Sequence, residues 1–305
     1  MASGVRKAWE RCCAGESVCR EQAHGQSPWH AEAMSDRVSI AVNNGIAEVR
    51  LNRPDKLNAL DTAMFQGIVD AGETLKGNAE VRVVVLSGEG RGFCAGLDFG
   101  SFQAMAGSAS PERNRGDERS IDAIGATDGR ITHLGQQAAW VWQELEVPVI
   151  AALHGAVLGG GLQIALGADI RIVAPDAKLS VLEARWGLIP DMTGTVILPT
   201  LVGRDVAKDL TFTGRMVSGS EAVQIGLATR LAEDPLAVAL ELAADLVTKS
   251  PDALREGKRL LNLAGTRPLA EQLQDERVTM GSLIGTANQV EATLAFFEKR
   301  DPRFT

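Results

Sequence analysis

Apolar and polar residues alternate over Val38–Val42 and again over Ile46–Leu51, on either side of Asn43-Asn44-Gly45. Alternation with period two around an Asn/Gly turn predicts a β-hairpin. The period then changes. Met64, Ile68 and Leu75 recur at helical spacing behind Asp61, a natural N-cap, so a helix is expected to about Lys76. Val81–Leu86 is an almost unbroken β-branched run, the pattern of a strand buried on both faces. Strand Pro148–Leu153, helix Gly159–Leu166 and strand Ile170–Ala174 repeat the alternation. Such an order predicts an α/β architecture with its site at strand-to-helix turns. Residues 106–130 are dominated by Gly, Ser, Asn, Arg and Asp and contain Pro111, which predicts a mobile loop ahead of a helix through Trp140 and Trp142. From about Asp205 the patterns are helical: Ser220–Ile225, Pro235–Lys249, Pro251–Leu263, Leu269–Ile284 and Gln289–Lys299. No strand pattern of comparable strength follows Ala228–Leu231. The division expected is therefore a core over 34–203 and an all-helical part over 204–305.

Composition narrows the classes of function. The 305 residues are 45% apolar and 23% charged, enough for a large core without staples. The net charge of −8 argues against a nucleic-acid binder and against an anionic membrane surface. With 4% aromatics and no tyrosine, stacking platforms for single strands are also disfavoured. The most apolar stretch, Val149–Ile170, is interrupted by His154, Gln163, Asp169 and five glycines, whereas a membrane span needs about 20 nearly uninterrupted apolar residues. Of four cysteines, Cys12, Cys13 and Cys19 lie near the start and only Cys94 lies further on, which reads as a reducing, cytoplasmic protein. Cys12, Cys13, Cys19 and His24 lack paired zinc-ligand spacing, and no metal site is expected. Residues 1–33 balance four acids against four bases without an apolar run, unlike a secretory or transit segment. Met34 then opens a stretch leading straight into a strand. Residues 1–33 are expected to be a mobile or upstream translational extension, dispensable for fold and activity.

Three clusters carry candidate chemistry. Arg91-Gly92-Phe93-Cys94-Ala95-Gly96-Leu97-Asp98 follows a strand, and its glycines allow backbone N–H groups to face a ligand. Gly159-Gly160-Gly161 opens a helix directly after a strand, which leaves unpaired N–H donors for an anion. Leu162-Gln163 follows in place of Gly-Lys-Ser/Thr, so a nucleotide phosphate is disfavoured. Two N–H donors from separate turns converging on one oxygen make an oxyanion hole. The third cluster is Glu183 among Val181, Leu182, Trp186, Leu188 and Ile189. A carboxyl beside Trp186 in a dry pocket would have a raised pKa, suited to proton transfer near neutrality. Asp191 precedes a helical run over Met192–Leu201 and could be its N-cap or a second acid.

Taken together, L-N-R-P-D-K-L-N-A-L-D (51–61), F-C-A-G-L-D (93–98), H-G-A-V-L-G-G-G-L-Q-I-A-L-G-A-D (154–169) and E-A-R-W-G-L-I-P-D (183–191) resemble the crotonase superfamily, the enoyl-CoA hydratases and isomerases. The resemblance spans about 36–300 and includes the C-terminal Phe296-Phe297-Glu298-Lys299-Arg300. It implies a β/α spiral core of ββα repeats, with the C-terminal helices forming a homotrimer or a dimer of trimers. It implies an acyl-CoA substrate, with coenzyme A part of that substrate and no separate cofactor. The N–H groups of Leu97 and Gly160 would hold the thioester oxygen as it becomes an enolate. Lys56, Leu57, Ala59 and Ala95 would lie along the CoA, and Gln163 and Trp186 would line the site. Of the two glutamates usual in a hydratase, one matches Glu183. The other falls on Gln163, which can orient water but cannot accept a proton. Asp191 stands where typical hydratases have glycine. The dienoyl-CoA isomerase branch has an aspartate there, and L-T-F-T-G-R-M (210–216) is similar to that branch, but it too has an acid at the position of Gln163. Hydration of an enoyl-CoA is the first reading, with Glu183 moving the proton and Gln163 or Asp191 helping to place water. A double-bond shift using Glu183 and Asp191, or an acyl-CoA binder without catalysis, stands as the alternative.

Overall fold

The structure, a computed structural model, describes residues 31–33, 36–98, 100, 127 and 129–305. The early Cys/His group, Met34 and nearly all of the 106–130 loop lie outside the described residues. The expected hairpin is present as β2 (Val38–Asn43) and β3 (Ile46–Leu51), with Asn44 and Gly45 at φ of 50° and 81°. Two positive φ values match the right-handed twist of the paired strands. Ahead of them β1 (Ala31–Ala33) pairs antiparallel with β2, so the last three residues of the expected extension add a strand to the sheet.

From β3 onward the sheet is parallel: β4 (Val83–Gly88), β5 (Val149–Leu153), β7 (Ile170–Val173) and β10 (Arg230–Leu231) follow in the order β1-β2-β3-β4-β5-β7-β10. The unbroken apolar run of β4 has the expected cause. Val84 and Leu86 face the helices α1 (Thr62–Leu75) and α2 (Leu134–Glu144), in a core with Met64, Ile68 and Trp142. Val83 and Val85 face the other way and pack with Ile150 and Ile172 against Ala239 and Ala243 of α7 (Pro235–Leu246). With side chains alternating across the sheet and helices on both faces, neither face of the strand is polar.

Four of the main strands, β3, β4, β5 and β7, are each followed by a piece of a second, smaller layer. β5 leads to β6 (Ala156–Leu158) and β7 to β8 (Lys178–Ser180), which pairs with β9 (Val217–Ser218). After β3 and β4 the second layer is reduced to single bridges, Leu60 with Leu97 and Cys94 with Val157. Helix α1 follows Leu60 and α3 (Gly160–Leu166) follows β6, so the chain winds as a spiral of strand, short strand and helix. Further helices are α4 (Gly194–Val202), α5 (Arg204–Thr213) and α6 (Gly219–Gln224).

The part after residue 203 is not wholly helical, because β9 and β10 lie within it and extend both layers. β10 falls within the strand pattern at Ala228–Leu231, whereas the two residues of β9 are too short for periodicity to reveal. Helix α8 (Pro251–Leu263) is tied to the core by Lys258. Its buried ammonium donates to the carbonyls of Trp142 and Val147, each at 3.0 Å, and pairs with Asp169 at 2.9 Å. Asp169 in turn accepts the Val149 N–H at 2.7 Å, at the start of β5. Helices α9 (Leu269–Leu283) and α10 (Ala287–Glu298) leave Leu269, Val278, Met280, Ile284, Phe296 and Phe297 exposed. No helix among the described residues is long and apolar enough to cross a membrane.

Lys258→Met should lower unfolding free energy by about 3 kcal/mol, since it strands the Asp169 carboxylate and two carbonyls in a largely buried place. Urea unfolding of the two proteins measures this; an unchanged midpoint would show that the anchor contributes nothing.

Candidate active site

The site is built where three turns of the second layer meet. The first is the loop from Arg53 to Leu60. A single 3₁₀ turn over Pro54–Lys56 is followed by Leu57 and Asn58, both left-handed at φ of 51° and 55°. Asparagine tolerates that conformation better than most residues, and here its buried amide explains the geometry. Asn58 Oδ1 accepts the Arg53 N–H at 2.7 Å, and Nδ2 donates to the carbonyls of Glu89 and Gly92, both at 2.9 Å, and of Phe93 at 3.1 Å. The loop is thereby fastened to the second turn, residues 89–98. Arg53 completes the fastening by donating to the Ala59 carbonyl at 3.1 Å and to Asp98 at 2.8 Å.

Leu60 donates to the Gly96 carbonyl at 2.8 Å and accepts the Asp98 N–H at 3.0 Å. In this parallel bridge the groups of Leu97 point the other way, and among the described residues its N–H donates to no backbone carbonyl. Gly160 is the first residue of α3, where an N–H has no partner within the helix. The two come together because Gly96 is glycine. It sits at φ 86°, and a Cβ there would lie 2.7 Å from the Leu158 carbonyl oxygen and 3.7 Å from the Gly160 nitrogen. The absence of a Cβ at Gly96 thus lets the turn that carries Leu97 lie against the start of α3. For the residues expected along the CoA, internal bonds already occupy both backbone groups of Leu57 and Ala59 and the N–H of Ala95. Lys56 is exposed at the end of its turn. Beneath them the buried Cys94 donates to the Asn58 carbonyl at 3.0 Å, and burial pushes its thiol pKa up to about 12.

The third turn carries the acid. Glu183 opens a short 3₁₀ turn over Glu183–Trp186, after β8. Its Oε1 accepts from Gln163 Nε2 at 2.6 Å, and a Cβ on Gly159 would lie 3.5 Å from the same oxygen. Gln163 is itself clamped: its Oε1 accepts the N–H of Met192 at 2.9 Å and of Gly194 at 3.0 Å. Glu183 is 8% exposed and Gln163 2% exposed, and Glu183 Oε2 is buried without a hydrogen-bond partner. Burial raises the Glu183 pKa above the ordinary carboxylate range and the nearby Asp191 charge adds to the rise, while the bond from Gln163 opposes it.

Two expectations are corrected. Trp186, Leu188 and Ile189 are 54%, 46% and 68% exposed, so they are not the dry wall expected around Glu183. Their spacing resembles a buried apolar run, but after Glu183 the chain turns outward through Gly187 at φ 72°. The enclosure comes from α3 and from the loop over 190–194. Asp191 is exposed and is not a helix N-cap, because α4 begins at Gly194 with Thr193 before it. The Met192 side chain is instead drawn inward: its sulfur lies 2.9 Å from where a Gly160 Cβ would be. The structure thus gathers Leu97, Gly160, Gln163 and Glu183 in one place, with Asp191 on the rim. Sequence reasoning missed Asn58, the Arg53–Asp98 pair and the 192–194 loop. All three act through polar contacts between segments apart in sequence, which leave no periodic signal; only the left-handed preference of asparagine hinted at Asn58.

The profile of the family described as enoyl-CoA hydratase/isomerase matches residues 41–305. A Bacillus subtilis (strain 168) protein named "Probable enoyl-CoA hydratase" is 33% identical over 270 residues, covering 88% of this chain and 98% of its own. The Mus musculus protein named mitochondrial methylglutaconyl-CoA hydratase is 32% identical over 269 residues, covering 86% of this chain and 80% of its own. A crystal structure of enoyl-CoA hydratase from Bacillus anthracis superposes with a TM-score of 0.77 at 30% identity, covering 88% of this chain and 98% of that one. A profile match over 41–305, with relatives above 30% identity along most of the same stretch, makes this protein a member of the enoyl-CoA hydratase/isomerase family, within the crotonase superfamily.

Proposed function

We propose that the protein hydrates the double bond of an enoyl-CoA thioester through a stabilised enolate. The observation that carries this reading is a buried Glu183 with one oxygen free, in the same cluster as the N–H groups of Leu97 and Gly160. The two N–H groups would receive the thioester oxygen as negative charge builds on it, which lowers the barrier most where the donors are already fixed. The hydroxyl of water adds to the β-carbon and a proton ends on the α-carbon. Glu183 moves that proton, and its raised pKa brings it closer to neutrality, where general acid–base transfer is most effective. Gln163 cannot accept a proton, and its oxygen is already taken by two N–H donors. Its role in this reading is to hold Glu183. The enolate charge is met by N–H dipoles, so the scheme calls on no metal or redox group; coenzyme A arrives as part of the substrate.

Asp191 supports a second reading. Its charge lies near enough to raise the Glu183 pKa, and two acids could move a proton between the α- and γ-carbons to shift a double bond. A binder without catalysis is opposed by the buried Glu183, since burying an unpaired acid is unfavourable without a use for it. The apolar side chains exposed on α9 and α10 support assembly as a homotrimer or a dimer of trimers.

The first test is a panel of 2-enoyl-, 3-enoyl- and dienoyl-CoAs with products identified by mass and double-bond position. Glu183→Gln should lower turnover by roughly 10²–10⁴-fold, while acyl-CoA affinity changes little. Asp191→Asn should have a much smaller effect on hydration; damage close to that of Glu183→Gln would favour the isomerase. Full activity in Glu183→Gln would remove the mechanism.

The raised pKa also has a stability signature. Native protein binds the Glu183 proton more tightly than unfolded chain does, so this group's contribution to stability falls as pH rises from the ordinary carboxylate range through the raised value. The stability of Glu183→Gln relative to wild type should therefore climb across that window and level off above it. Urea unfolding at a series of pH values reads this difference, and a flat difference would mean that burial does not perturb the acid.

For the assembly, light scattering should give a mass of three or six chains. Aspartate at both Phe296 and Phe297 should reduce it, whereas a wild-type mass of one chain would exclude the assembly.

A further inference from the structure

The loop over 190–194 enters the site twice, once through its backbone and once through a side chain. The Met192 N–H donates to Gln163 Oε1 at 2.9 Å, and Gln163 in turn holds Glu183. The side chain of the same residue reaches the proposed oxyanion donor. A Cβ on Gly160 would lie 2.9 Å from the Met192 sulfur, 3.7 Å from its Cε and 2.8 Å from Leu60 Cδ1. No side chain tolerates contacts that close, so glycine at 160 is what admits the thioether. Met192 Cγ also lies 3.9 Å from where a Cβ on Gly135 would be, in the first turn of α2. Met192 is thus wedged between the start of α3 and the start of α2, and each helix contributes a glycine to the slot.

The slot borders space that a ligand can enter. Leu97 and Gly160 are half-buried, as are residues 133–136 at the start of α2, and Met192 itself keeps 6% of its surface exposed. The side chains nearest Gly160, of Leu60 and Met192, are both apolar and suit a hydrocarbon. In the hydratase reading the thioester oxygen sits at the Gly160 N–H and Glu183 acts on the α- and β-carbons. Conjugation keeps the carbonyl, α- and β-carbons in one plane, so the acyl group runs from Gly160 toward Glu183. Met192 joins the same two points, through its sulfur at one end and through Gln163 at the other. The chain beyond the β-carbon therefore meets the thioether.

We infer that Met192 is the residue that sets acyl-chain length: its thioether closes the slot between α3 and α2, so the protein takes short acyl groups and turns long ones away. Methionine is unbranched, and beyond its Cβ it has the length of about three chain carbons. Truncation frees that length without touching the backbone N–H that holds Gln163. The inference rests on the reading of Gly160 as the thioester site and adds the class of acyl group to it.

Binding of saturated butyryl-CoA and octanoyl-CoA to the full-length protein, measured by titration calorimetry, tests this without calling on turnover. Wild type should bind butyryl-CoA the more tightly. Met192→Ala should raise the affinity for octanoyl-CoA relative to butyryl-CoA by roughly tenfold or more, because each methylene gained in apolar contact is worth about fourfold. Met192→Val, which removes less and costs less packing, should move the ratio in the same direction by a smaller factor; should Met192→Ala not fold, Met192→Val decides by the same ratio. A packing role alone would lower the thermal unfolding midpoint of both variants and leave the affinity ratio unchanged. That result overturns the inference, as does a wild type that binds octanoyl-CoA the more tightly. If the ratio shifts as expected but wild type hydrates no enoyl-CoA, the hydratase reading fails and this inference stands.

Discussion

The carboxamide of Gln163 is the interaction on which the arrangement of the site depends. One side of it holds Glu183 and the other holds two N–H groups of the 192–194 loop. A neutral amide is the group that can do both, since it offers donors and an acceptor on one rigid plane. A second carboxyl at 163 would bring two carboxyl oxygens to about the 2.6 Å now spanned by the amide and the acid. They could sit there only by sharing a proton, because like charges so close cannot both ionise. The amide leaves Glu183 without a second carboxyl beside it at the buried centre and holds one of its oxygens in place.

That amide is useful only because the backbone around it is fixed independently. Asn58 and the Arg53–Asp98 pair join the loop after β3 to the turn after β4, and the Leu60–Leu97 bridge sets where Leu97 points. Gly160 is fixed by the start of α3, which belongs to the next turn of the spiral. In the proposed mechanism neighbouring turns would each supply one donor, and the spacing between turns of the spiral would become the spacing between donors. The main sheet, packed on both faces, holds that spacing constant. Lys258 performs a comparable task for the helical part, where one ammonium draws α8 onto the start of β5.

Much of this was legible in the chain. The hairpin, the Asp61 cap, the buried run of β4 and the strand-to-helix turn at Gly160 rest on local patterns, and local patterns are what periodicity and capping rules read. Leu97, Gly160 and Glu183 fall on motifs that resemble a known family. What stayed hidden depends on contacts between segments far apart in sequence. Trp186 and Ile189 look like core residues by composition, and only the outward turn after Glu183 shows that they are not. Asp191 looks like a cap because acids favour the start of helices, but the clamp on Gln163 holds the N–H groups of Met192 and Gly194 and so decides where the helix can begin.

The thiol at the floor of the site has a chemical consequence. Cys94 is the one free cysteine among the described residues, fully enclosed, donating to the Asn58 carbonyl and with a pKa of about 12. Peroxides and alkylating agents react with the thiolate, and at neutral pH this sulfur is a thiolate in only a minute fraction of molecules. This thiol is therefore insensitive to oxidant by construction, and inactivation by peroxide would have to begin at another side chain.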